Sequence, residues 1–251
     1  MANSKKSNVP ELLIEQKSGL LSLTLNRPDS ANALSPELTE ALIDAITQAR
    51  DVRLCTFRGE GRHFCAGFDL SDIESLSDGD LLWRFLRIET LLQAIHHAPF
   101  PTLAFAQGQV VGAGADLFAA CWQRFAAPDF KIRMPGWNFE LALGTRRLTN
   151  LIGCDKARDL LIDTRILDAD RALQWGLVTD IVDPEAWPSR QAEIFQRADT
   201  LTTEAVQQMF RITRQDTRTE DIADIVHSAG RPGLKERIMA YRKKVQSAKK
   251  G

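Results

Sequence analysis

Cysteine is scarce in this chain of 251 residues, and the four present (Cys55, Cys65, Cys121 and Cys154) never stand at C-x-x-C spacing. That argues against a disulfide framework and against a zinc or redox motif of the paired-cysteine kind. Scattered among apolar neighbours, the thiols are expected to be reduced and mostly buried, as in a cytoplasmic protein. No apolar run reaches the roughly 20 residues that a membrane-spanning helix needs. Met1-Ala2-Asn3-Ser4-Lys5-Lys6 has no apolar segment behind it, so no secretory leader is expected. An excess of either charge is missing too, since 32 Lys plus Arg stand against 33 Asp plus Glu, a net charge of −1. That balance gives no electrostatic reason to expect nucleic acid or an anionic membrane as a partner. No metal site is visible: His96 and His97 are adjacent, point to different faces, and most simply complement the end of a helix.

What is present is an ordinary globular composition, 44% hydrophobic and 26% charged, in a chain long enough to bury a sizeable core. The pattern predicts strands alternating with helices, then helices alone. Residues 12–16 and 20–25 flank Lys17-Ser18-Gly19 and predict a β-hairpin. Ser35-Pro36-Glu37 combines an N-cap, a proline at the first helical position and an acid facing the dipole, so a helix starts there. Residues 52–57 predict a strand, 71–79 an acidic connector, and 81–97 an amphipathic helix ended by Pro99 and Pro101. Further on, Asp168 caps a helix that stops at Gly176, and 177–182 return as strand. The basic run 235–250 reads as a solvated helical face. The divisions expected are a flexible N-terminus over 1–10, a core over 11–186 and a helical region over 187–251.

Two glycine turns hold the chemical interest. In the first, Thr102-Leu103-Ala104-Phe105-Ala106 is a buried strand, Val111-Gly112-Ala113-Gly114-Ala115-Asp116 a turn, and Leu117-Phe118-Ala119-Ala120-Cys121 a helix. Backbone N–H groups are left unpaired where such a helix begins, and Asp116 falls beside them. A carboxylate next to backbone donors can move protons and hold an oxyanion, which is what acyl chemistry needs. The same turn also reads as close packing, with Asp116 only capping its helix. The second turn is Phe64-Cys65-Ala66-Gly67-Phe68-Asp69-Leu70. His63 beside it reads as a surface or hydrogen-bonding residue. Gly112-Ala113-Gly114 lacks the spacing of a dinucleotide-binding turn.

Taken together, Leu25-Asn26-Arg27-Pro28 with Asn32-Ala33-Leu34, the two glycine turns, and Ala169, Leu173, Gly176-Leu177-Val178 resemble the crotonase (enoyl-CoA hydratase/isomerase) superfamily. The resemblance covers residues 11–185 closely and implies an α/β fold: a crotonase-like spiral of ββα repeats with a helical C-terminal region, assembled as a homotrimer or hexamer. It implies an acyl-CoA thioester as substrate, with coenzyme A part of that substrate and no separate cofactor, in the setting of fatty acid metabolism. By motif position the oxyanion hole would be the N–H groups of Phe68 and Ala113. The Ala66 carbonyl would face the adenine, the loop at Asp29-Ser30 would flank the coenzyme, and Asp69, Leu70, Gly112 and Gly136 would complete the binding site.

The acids depart from the family pattern. A hydratase of this family sets two glutamates around one water. The first position is Asp116, one methylene shorter; the second, after Met134-Pro135, is Gly136. Glu140, in the altered run from Trp137 to Gly144, is the candidate to replace the missing acid, and a surface position is its other reading. The expectation is an acyl-CoA hydratase or isomerase with Asp116, and Glu140 beside it, as catalytic acids. A hydrolase or decarboxylase on the same enolate-stabilising site, or a family member that binds acyl-CoA without catalysis, are the alternatives.

Overall fold

Alternation of strand and helix signals carries through into the computed structural model, which describes residues 9–248. The flexible N-terminus expected over 1–10 therefore lies, except for residues 9 and 10, outside the described residues, as does the end of the basic run. The elements are β1 (Leu12–Lys17), β2 (Leu20–Leu25), α1 (Pro36–Thr47), β3 (Leu54–Gly59), α2 (Asp78–His96), β4 (Thr102–Ala106), β5 (Gln109–Val111), α3 (Ala113–Ala120), β6 (Gln123–Ala126) and β7 (Lys131–Arg133). They continue with α4 (Thr145–Ile152), α5 (Cys154–Asp163), β8 (Leu167–Asp168), α6 (Ala169–Trp175), β9 (Asp180–Ile181), α7 (Trp187–Ala198), α8 (Thr203–Ile212), α9 (Arg218–Ala229) and α10 (Leu234–Ala248).

The larger sheet has six strands in the order β1-β2-β3-β4-β6-β9, and the smaller has three in the order β5-β7-β8. Among the described residues only β1–β2 and β7–β8 are antiparallel. The first pair is the expected hairpin, turned by Ser18 and Gly19, both at positive φ, which suits the twist of a two-residue connection. The other pairs are parallel, so the strands are covered on both faces and read as apolar runs. Cys55, Phe57, Ala104 and Ala106 join the main core beneath α1, α2 and α3. Their alternating neighbours Leu54, Leu103 and Phe105 form a second cluster with Trp187 and Ile194 of α7. That is the period-2 alternation of a sheet with two covered faces.

The caps fall where the sequence puts them. Ser35 Oγ accepts from the Leu38 N–H at 3.0 Å, and the Asp168 carboxylate accepts from the Arg171 N–H at 2.9 Å, with Gly176 left-handed at the end of α6. Two local expectations need correction. Residues 71–79 are not a loose connector: Ile73–Ser75 form a 3-10 turn, and Ser77 with Asp80 makes a capping box, so α2 starts three residues earlier than the apolar stripe suggests. The strand over 177–182 shrinks to Asp180–Ile181, because Leu177 and Val178 direct their N–H groups to the Ala172 carbonyl and complete the end of α6. The thiols are mostly buried, as expected: Cys55, Cys65 and Cys121 are buried and Cys154 is exposed.

The helices after β9 are not a detached bundle. Asp78, the first residue of α2, accepts from the N–H groups of Gly233 at 2.8 Å, Leu234 at 3.3 Å and Lys235 at 2.8 Å. It thereby caps α10 from a point 155 residues earlier in the chain, holding that helix against α2 and the 3-10 turn Gly136–Phe139. Among the described residues no helix is long and apolar enough to cross a membrane.

Candidate active site

The two glycine turns meet. Val110 and Cys65 form a parallel bridge, and the Val111 N–H donates to the Cys65 carbonyl at 3.0 Å. Gly67 sits at φ +88°, and a Cβ there would stand 3.1 Å from the Ala113 nitrogen and overlap the Val111 carbonyl, so only glycine lets the turns approach this closely. The first turn is tied down by the Leu34 N–H donating to the Gly67 carbonyl at 2.7 Å and the Asp69 N–H to the Leu34 carbonyl at 3.3 Å. The second is held by the Gly112 N–H, which donates to the Arg133 carbonyl at 2.9 Å. Phe68 is the bridge partner of Leu34, yet its own N–H makes none of these bonds, and Ala113 is the first residue of α3, where an N–H has no partner inside the helix. Neither N–H has a hydrogen-bond partner among the described residues, and both residues line one cavity.

The cavity encloses about 250 Å³. Its floor is the two turns, including Ala66, Leu70 and Gly112. Phe68 and Phe85 stack there with ring centres 4.5 Å apart, and the Arg84 guanidinium lies over the Phe68 ring at 4.2 Å. One wall is the 3-10 turn Gly136–Phe139 with Leu141 and Leu143. The adjoining wall is the inner face of α10, where Ile238, Tyr241 and Val245 recur at helical spacing and Tyr241 packs on Phe139 with ring centres 5.5 Å apart. Arg237 pins the two walls together, donating from Nε to the Phe139 carbonyl at 3.2 Å.

Asp116 is the one carboxylic acid among the lining residues. It sits in the first turn of α3, its own N–H donating to the Gly112 carbonyl at 3.0 Å. The side chain is buried, and Oδ1 has neither solvent nor a hydrogen-bond partner, which leaves Oδ2 as the oxygen available to a ligand. Burial raises this carboxyl well above its usual range; the Arg147 charge opposes the rise and the Glu89 charge adds to it.

The remaining expected site residues divide. Ala66, Leu70, Gly112 and Gly136 line the cavity with Phe68, Ala113 and Asp116. Glu140 is placed elsewhere: left-handed at φ +60°, its carboxylate lies outside the lining and pairs with Arg231 at 2.7 Å. Asp69 is turned away into an ion pair with Arg27 at 2.8 Å and accepts from the Ser71 N–H at 2.9 Å, so it shapes the turn from behind. Ser30 is exposed on a 3-10 turn and does not line the cavity. Trp137 both lines the cavity and meets solvent, donating its indole N–H to the Thr145 hydroxyl at 3.1 Å. Sequence reasoning missed the α10 wall. The i, i+3, i+7 spacing of Ile238, Tyr241 and Val245 was the available signal, hidden in a basic run.

Residues 15–230 match the family model described as enoyl-CoA hydratase/isomerase. A probable enoyl-CoA hydratase of Mycobacterium tuberculosis, EchA6, is 33% identical over 216 residues, covering 83% of this chain and 84% of that protein. A probable enoyl-CoA hydratase of Bacillus subtilis is 34% identical over 188 residues, covering 71% and 69%. Among solved structures, a Bordetella parapertussis protein assigned as an enoyl-CoA hydratase/isomerase superposes with a TM-score of 0.91 at 43% identity, over 93% of this chain and 98% of that one.

Proposed function

The chain belongs to the enoyl-CoA hydratase/isomerase family, and from that premise we propose that it binds an acyl-CoA thioester, holds the thioester oxygen with the Phe68 and Ala113 N–H groups, and moves protons with Asp116. The observation that carries this reading is the convergence of two unpartnered backbone donors and one carboxylic acid on a single apolar cavity. Two donors preorganised toward a developing oxyanion are each worth about 3–4 kcal/mol in acyl chemistry. An apolar wall suits an uncharged acyl chain and strengthens those dipoles by keeping water out. The coenzyme portion is assigned to the outer side of Ala66 and the exposed Ser30 turn.

One acid favours one kind of reaction. Hydration needs water activated on one side and a proton delivered on the other, and Gly136 offers no second group. A shift of a double bond along the acyl chain needs only a single carboxylate, which takes the proton from the α-carbon, leaves a dienolate held by the two N–H groups, and returns the proton to the γ-carbon. The raised proton affinity of Asp116 makes it a stronger base when ionised, though a scarcer one at low pH. Isomerisation of 3-enoyl to 2-enoyl thioesters is therefore the favoured reading. Binding without turnover is the second, favoured by Arg231 drawing Glu140 away from the vacant acid position. We assign the protein to the cytoplasm as a homotrimer or hexamer, and light scattering tests the assembly.

The experiment compares wild type, Asp116→Ala and Glu140→Gln on crotonyl-CoA hydration and on a panel of 3-enoyl thioesters, with calorimetry for binding. Turnover of the 3-enoyl panel, lost in Asp116→Ala and kept in Glu140→Gln, is expected. Unchanged turnover in Asp116→Ala refutes the assignment. Binding with no turnover of any thioester by wild type selects the second reading.

A further inference from the structure

A second tier of charge lies behind Asp116. The carboxyl packs directly on Gly144: a Cβ on that glycine would stand 2.6 Å from Asp116 Cγ and closer still to Oδ1. Gly144, at φ +63°, is the residue from which α4 starts. Three residues further on, the Arg147 side chain is 3% exposed and clamped between two other helices. Its Nη2 donates to Glu89 of α2, which is fully buried, and its Nη1 to Asp221 of α9 at 3.1 Å. Asp221 also accepts from Arg146 at 3.1 Å and from the Thr217 hydroxyl at 2.8 Å, and Glu89 from the Gln93 amide at 3.0 Å. Arg147 Nε alone of its nitrogens has no partner. Around the start of α4 there are thus two buried orphans of opposite kind, an acceptor on Asp116 and a donor on Arg147. Buried polar atoms in folded proteins are almost always paired, so orphans of this kind call for a reason.

We propose that the Glu89–Arg147–Asp221 clamp is the positioning device for Asp116: it seats the first turn of α4 so that Gly144 backs the Asp116 carboxyl, and it sets the fixed charge behind that carboxyl. The clamp lies outside the cavity lining apart from its effect on Asp116, so it is not itself catalytic. A merely structural clamp would serve to dock α2, α4 and α9. Two observations point further: Asp116 rests on the residue that begins the clamped helix, and the charges of both Arg147 and Glu89 act on Asp116 with opposite sign. The other titratable or charged groups that line the same cavity as Asp116 are Arg133 at the end of β7, and Tyr241 and Arg242 on α10. His96 of α2 shares the Arg147 field but is held mostly neutral, its proton affinity lowered to about 4 by burial first and Arg147 second.

The role rests on Asp116 being the acid/base group proposed above, so its test must not depend on turnover. The full chain, labelled with ¹³C at the aspartate carboxyls, is titrated by NMR, with Asp116→Asn identifying the Asp116 signal. Glu89→Gln keeps an acceptor for Arg147 but removes a like charge, and the Asp116 midpoint is expected to fall. Adding Arg147→Gln to that background removes the opposite charge, and the midpoint is expected to rise by about one pH unit or more relative to Glu89→Gln alone. Adding Arg147→Lys instead is expected to restore most of the difference. In kinetics the double variant is expected to lose kcat at nearly constant KM. A midpoint that is the same in wild type, Glu89→Gln and the double variant overturns the proposal. If the double variant does not fold by circular dichroism, Glu89→Gln decides alone, and an unmoved midpoint overturns it. A shifted midpoint in a protein whose turnover ignores Asp116→Ala would keep the clamp and discard the acid/base assignment.

Discussion

Gly144→Ala is a one-methyl perturbation aimed at the acid without touching it. Its cost has two parts. Gly144 sits at φ +63°, where a residue with a Cβ costs about 1–2 kcal/mol. The added Cβ would lie 2.6 Å from Asp116 Cγ and 3.1 Å from Asp116 Cβ, against roughly 3.5–4.0 Å for carbons at rest. Neither backbone is free to yield: Asp116 is anchored through its N–H to Gly112 at 3.0 Å, and Arg147 fixes the first turn of α4. The carboxyl must swing by about an ångström, and overpacking of that kind costs about 1–3 kcal/mol. Together these predict a melting temperature lower by roughly 5–10 °C for a chain of this size. A misplacement of about 1 Å at the reacting group predicts a kcat/KM loss of about 100-fold. The assay is turnover on the best enoyl thioester beside thermal unfolding. Asp116→Ala in the Gly144→Ala background restores the space, so the double variant is expected to be more stable than Gly144→Ala alone, a coupling that a double-mutant cycle reads directly. Gly144→Ala with wild-type kcat/KM, or a cycle with no coupling, refutes the reasoning.

Three further outcomes follow from the geometry. Because the Asp116 carboxyl is raised in the fold, its stabilising contribution is complete below the unfolded value of 3.8 and is lost as pH rises through the folded value. Asp116→Asn, neutral throughout, is therefore expected to melt above wild type at neutral pH and to lose that advantage below pH 3.8, as scanning calorimetry across pH would show. Replacing Ala113 by lactate exchanges its amide N–H for an ester oxygen without removing a helical hydrogen bond, and is expected to lower kcat by about 10²–10³-fold at unchanged secondary structure; a smaller loss than tenfold in kinetics removes this N–H from the oxyanion hole. Asp78→Ala uncaps α10 and is expected to cost about 1 kcal/mol in urea unfolding at neutral pH. The Asp78 carboxyl is held below its usual value, chiefly by the Lys235 N–H, so this contribution is present above pH 3.8 and the gap to wild type closes as pH falls through the folded value.

Local rules made part of this molecule legible. Ser35-Pro36, Asp168 with Gly176, and the glycine turns each carry their reason within a few residues, and the structure shows those features in place. The Ser77–Asp80 capping box was hidden because its acid is Asp, inside a stretch whose acidic character suggested a connector. What local rules cannot reach is the fate of a charge whose partner is remote. Arg147 sits in a run, Thr145-Arg146-Arg147, that reads as surface, yet its partners lie 58 and 74 residues away. Glu140 reads first as a surface residue and second as a site acid until Arg231 is placed beside it. The α10 wall failed for the same reason, since its lysines and arginines mask the apolar stripe that Asp78 brings over the cavity.

That long-range cap bears on the order in which the molecule becomes competent during synthesis. Both sheets and the two glycine turns are encoded before residue 182, so they leave the ribosome ahead of the final helices. The chamber has only a floor and one wall until α10 emerges and Asp78 receives its three N–H groups. A nascent or prematurely stopped chain lacks that α10 wall over Phe68, Ala113 and Asp116. The final helix completes the chamber: the wall made by Ile238, Tyr241 and Val245 exists only in a chain that has been made through α10.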